Sequence, residues 1–170
     1  MEIKKHTPEG RAITDWMGKG RITWCGPYAI ATVCGTAYEP AYQAAKAARG
    51  KRHAKGITCG NLKQACETLG VKGKWTMLSK KRVLRKFIEE SLRPNEVYVI
   101  NITRHFLVID TRDWTTIDNQ SLGWCDMEGS KHANKMVHGY FRVENPKFEP
   151  SHYNRDFRDD QAEMNFTGEK

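Results

Sequence analysis

The stretch Thr23-Trp-Cys-Gly-Pro-Tyr-Ala-Ile-Ala-Thr-Val-Cys-Gly35 decides how the rest of the chain is read. Pro27 suits a first helical turn, the residues after it are small or apolar, and Gly35 can stop a helix. A helix apolar on nearly every side belongs inside a core. Cys25 then stands at the mouth of a buried helix, facing unpaired amides and the positive end of the dipole, which favour thiolate over thiol. Cys34, near the other end, reads as packing.

Working outward, further helix signals fill the front half. Residues 41–49 are alanine-rich and basic. In Gly56-Ile-Thr-Cys-Gly-Asn-Leu, Thr58 can cap a helix whose Leu62, Ala65, Cys66 and Leu69 recur at helical spacing before Gly70. A third helix is expected from a Ser79 cap, with Val83, Leu84, Phe87, Ile88 and Leu92 on one face and a stop before Pro94.

The back half changes period. Residues 97–102 (VYVINI), 105–110 (HFLVID), 114–118 (WTTID) and 137–144 (VHGYFRVE) are rich in β-branched and aromatic residues and read as strands. The expectation is an α+β domain over residues 1–150, its Cys-bearing helix packed on a C-terminal antiparallel sheet, with a polar tail at 151–170.

At 170 residues a single domain is expected, and no apolar run approaches the roughly 20 residues needed to span a bilayer. The N-terminal residues lack a secretion signal's apolar core. A cytoplasmic protein is expected, whose five cysteines stay reduced. The net charge of +8 is regional: residues 46–93 hold 14 Lys or Arg against three acids, +11, and the remainder carries −3. Arg49, Lys51, Arg52 and Lys55 form the basic surface most suited to an acidic protein or nucleic acid, and a solvated face is the plainer reading.

A reactive cysteine needs a base and a group that orients the base. His105 opens a strong strand, and a hairpin turning at residues 111–113 would return residues 118–120 to its side. Strand alternation places Ile117 and Asn119 on one face and Asp118 on the other. Cys59, also at a helix start, is a second candidate thiol, and Cys66 reads as core. Cys125, His132 and His138 lack a paired Cys-x-x-Cys, so no metal is expected.

Taken in order, CGPYAIATVCG (25–35), GITCGNLKQACETLGV (56–71) and VYVINITRHFLVID (97–110) followed by TTIDNQ (115–120) resemble the papain-like cysteine peptidases. The likeness is strongest to the bacteriocin-processing, double-glycine type and its stand-alone relatives, and covers residues 23–120. It implies a papain-like fold, a protein or peptide substrate, no cofactor, Cys25 as nucleophile and His105 as base. The third member falls two residues after the motif isoleucine, which ranks Asn119 ahead of Asp118. The family's oxyanion glutamine, about six residues before the cysteine, is absent: position 19 is Lys. Lys19, Arg21 or Thr23 would have to donate in its place. Two alternatives stay open: a transglutaminase-like or N-acyltransferase enzyme with the same triad, or an inactive papain-like scaffold binding nucleic acid or an acidic protein.

Overall fold

The computed structural model describes residues 24–119, 125–126 and 131–149. Their elements are helices α1 (Cys25–Cys34), α2 (Tyr38–Arg49) and α3 (Cys59–Thr68), strand β1 (Gly73–Val83), helix α4 (Leu84–Ser91), then strands β2 (Val97–Ile102), β3 (His105–Asp110), β4 (Thr115–Ile117), β5 (Cys125–Asp126) and β6 (Met136–Val143). The strands form one antiparallel sheet in the order β1-β6-β2-β3-β4-β5. The fold is α+β. Among the described residues no helix is long and apolar enough to cross a membrane. The expected tail at 151–170 lies outside the described residues.

Alternation along the central strands builds two cores. Val97 and Val99 of β2 and Phe106 and Val108 of β3 pack with α1, α2 and α3, while Tyr98, Ile100, Ile102, Leu107 and Ile109 turn to the other face, against Leu84 and Phe87 of α4. With both faces covered, β2 and β3 read as continuous apolar runs rather than alternating ones. Trp75 of β1 stacks on Phe141 of β6 and meets the edge of Phe106 at the rim of the first core.

The sequence expectation fails between residues 73 and 83. A helix capped by Ser79 was expected, but Ser79 and the basic run after it lie in β1, and α4 starts only at Leu84, with no side-chain cap. The strand pairs with β6 through Gly73–Met77, slips in register, and pairs again at Arg82 and Val83. Edge pairing to β6 supplies backbone partners that outweigh the helical propensity of this lysine-rich run. The uncapped first amides of α4 find partners elsewhere: Leu84 and Arg85 donate to the carbonyls of Lys135 and Ala133. That contact anchors the loop carrying His132.

Helix α1 sits at the centre, buried from Gly26 to Cys34, as its sequence demands. Gly35 ends it at φ 58°, its amide and that of Thr36 closing onto the carbonyls of Thr32 and Ala31. At the other end, Ile57 presses on Gly26 so closely that a Cβ there would lie 2.5 Å from its Cδ1. Glycine thus lets α1 approach the segment before α3. Gly26→Ala should therefore destabilise the protein by about 1–3 kcal/mol in urea unfolding, with part of the loss recovered when Ile57 is also shortened to Val.

Candidate active site

Four side chains converge where the start of α1 meets the start of β3. Cys25 is half-buried at the first position of α1, and His105 occupies the first position of β3, almost fully buried. His105 and the backbone amides of Phe106 and Gly26 act on the Cys25 sulfur to favour its thiolate. On the far side of the ring, Nε2 of His105 lies 2.8 Å from Oδ2 of Asp118. The same oxygen lies 2.7 Å from Nε2 of His132, and all three residues are buried.

A carboxylate oxygen only accepts, so both imidazoles present an Nε2–H to Asp118. The proton on His105 Nε2 leaves Nδ1 to face Cys25, the tautomer a thiol–imidazole pair needs.

Electrostatics follow from this arrangement. Burial pushes the Cys25 thiol up, but the hydrogen bond and charge of His105, with the Phe106 and Gly26 amides, more than reverse it and hold the thiol below its ordinary value. Burial opposes charge on His105 too, yet Asp118 and Cys25 outweigh it and raise the imidazolium to about 9. A thiolate–imidazolium pair is favoured between these limits. His132 differs: burial, aided by the charges of His105 and Lys135, outweighs the pull of Asp118 and lowers its pKa, so it is the neutral donor.

The contact inverts the order in which the two orienting candidates stood. Asp118, not Asn119, carries the oxygen against His105. The reason lies in register. Val108 pairs with Ile117 and Ile109 with Thr116; continued one step, the ladder sets residue 118 opposite Leu107, on the face that His105 shares. Asn119 lies in the turn that follows.

In the sequence, His132 has only Cys125 and His138 as candidate partners. Among the described residues it joins His105 and Asp118 instead, while His138 meets the Thr103 hydroxyl at 3.0 Å. No local sequence signal marks His132; the anchoring of its loop to α4 brings it in. The ligand atoms of His105, Asp118 and His132 lie within 4.8 Å of one another, a donor set that could take a zinc-like ion.

The remaining candidates sort as follows. Cys34 and Cys66 are buried in the first core. Cys59 is half-buried, accepts a hydrogen bond from Asn101 Nδ2 at 3.1 Å, and burial raises its pKa, so it is not a second low-pKa thiol. Lys19, Arg21 and Thr23 lie outside the described residues. Arg49 is held to His53, its Nη1 being 2.7 Å from Nδ1 of that ring, while Lys51, Arg52 and Lys55 are exposed. Of the basic segment, residues 46–57 lie on the side of α2 and α3.

No protein-family model matches the sequence, and no curated protein matches it.

Alkylation of Cys25 by iodoacetamide, followed by intact mass across pH, tests that geometry. Wild type should react at lower pH than a free thiol does. In His105→Ala the thiol keeps its burial and loses its partner, so the profile should shift to higher pH, beyond the ordinary value of about 9. Asp118→Ala should shift it in the same direction, and by more than Asn119→Ala.

Proposed function

We propose that the protein is a cysteine peptidase or amidase that works through a covalent acyl-enzyme on a papain-like domain. The observation carrying this reading is the chain of contacts Cys25–His105–Asp118 at the mouth of a buried helix, with the thiol lowered and the imidazole raised.

In the reaction, the Cys25 thiolate attacks the carbonyl carbon of a peptide or amide, forming a C–S bond and an oxyanion. The backbone amide of Cys25, at the start of α1, is the candidate donor to that oxyanion, with a second donor still to be assigned. His105 passes its Nδ1 proton to the departing nitrogen as the C–N bond breaks. A water molecule, deprotonated by His105, then attacks the thioester and releases the acid, which restores thiolate and imidazolium. An amine in place of water gives acyl transfer by the same residues, the reading for a transglutaminase-like or N-acyltransferase enzyme.

Asp118 holds His105 in the useful tautomer throughout. His132 is a positioning residue: its Nε2–H and that of His105 fix one carboxylate oxygen from two sides, so Asp118 cannot rotate away from the ring. No step requires a metal.

Acid-quenched mixtures with a fluorogenic peptide–coumarin amide library should contain wild type mass-shifted at Cys25, and Cys25→Ala should give neither adduct nor turnover. Asp118→Ala should lower kcat by about 10²–10⁴-fold. EDTA should leave turnover intact; loss on chelation, restored by zinc, would point to the His-Asp-His set as a metal site instead. His132→Ala should lower kcat by about tenfold with little change in KM, and His132→Gln, which keeps an N–H donor, should recover part of it.

A further inference from the structure

Two depressions flank His105. One, of about 330 Å³, is lined by Trp24, Cys25, Ile57, Cys59, Arg104 and Phe106 among others. The second, of about 520 Å³, runs past Thr103, Arg104, His105, Asn134, Lys135 and Met136. Arg104 and His105 belong to both, so a chain laid across the thiolate passes Arg104 on either side of the bond to be cut.

Arg104 is unusual in its own right. It is the second residue of the two-residue turn closing β2 on β3, where Ile102 pairs with His105, and its φ is 59°. That left-handed position favours Gly or Asn, and an arginine there carries a conformational cost. The guanidinium is exposed, and among the described residues no carboxylate pairs with it. Lys135 in the second depression is likewise exposed without an ion pair. Lys55 Nζ stands 5.5 Å from the centroid of the Trp24 ring, on the wall of the first.

Among the described residues neither depression has an acidic lining residue. The nearby carboxylate, Asp118, is buried and occupied by two imidazoles, and the thiolate–imidazolium pair is neutral as a unit. The surroundings of the reacting bond are thus cationic, and complementary potential selects partners and speeds their encounter.

Resting on the reading of Cys25 as an acylated nucleophile, we propose that the substrate is an acidic polypeptide segment with Glu or Asp flanking the reacting bond. Arg104 is the specificity-determining residue at the junction of the two depressions, and Lys135 supports it on the second. A polypeptide suits the first depression better than nucleic acid, because Trp24, Ile57 and Phe106 give it apolar walls around a residue built to attack a carbonyl.

Binding to Cys25→Ala, measured by fluorescence anisotropy, tests this without turnover. Three fluorescein-labelled peptides of equal length carry Glu, Gln or Lys on both sides of a central Ala-Ala. The Glu peptide should bind at least about fivefold more tightly than the Gln peptide at low salt. The gap should narrow in 0.5 M salt, on the order of screening expected there, and close when Arg104→Gln and Lys135→Gln are added. Equal binding of the three, or tightest binding of the Lys peptide, overturns the proposal. So does tighter binding of a dT oligonucleotide lost on the same two substitutions, which assigns the surface to nucleic acid. Iodoacetamide alkylation of wild type is scored separately: a Cys25 that reacts no faster than a free thiol below the ordinary thiol pKa defeats the acyl-transfer reading, and the peptide comparison still decides the substrate class.

Discussion

A single buried carboxylate oxygen holds the candidate site together. Asp118 is almost fully shielded from water, and an ionised carboxylate there is tolerable only if its oxygens are hydrogen-bonded. Oδ2 meets that demand through two imidazole N–H groups, 2.8 and 2.7 Å away. The arrangement fixes three things at once: the tautomer of His105, the side of its ring turned to Cys25, and the position of the loop that brings His132. Removing either imidazole takes one hydrogen bond from a buried charge, so the three residues are energetically coupled.

The fold supplies the two ends of this chain from separate cores. Helix α1 lies in the core beneath α2 and α3, where Gly26 permits the close approach of Ile57. The His132 loop belongs to the opposite side of the sheet, tied by its carbonyls to the uncapped start of α4. β3 runs between the two cores, and its first residue is His105. The reactive geometry is thus set where a helix end and a strand end meet, on rigid elements rather than on a free loop.

Much of this was legible from residue order. The buried α1, the capped α3 with Thr58 and Asn61 closing a reciprocal capping box, and the β2–β3 hairpin carry strong local signals, and their positions agree with them. Cys25 and His105 follow from those elements. The strand β1 was hidden because its lysines and arginine suit a helix, and only pairing with β6, more than 50 residues on, decides otherwise. Asp118 was recoverable in principle: counting the hairpin register from His105 gives its face. His132 was not, since its place depends on a contact between a loop and a helix start that no periodicity encodes.

The central claim is that His105 is an imidazolium held between a carboxylate and a thiolate. Nitrogen-15 NMR titration of the histidine rings measures this directly. The account predicts that His105 keeps both ring protons up to a pH of about 9, while His132 loses its charge below the ordinary histidine value of about 6.5. A His105 ring that titrates at or below that ordinary value in the intact protein would contradict the account.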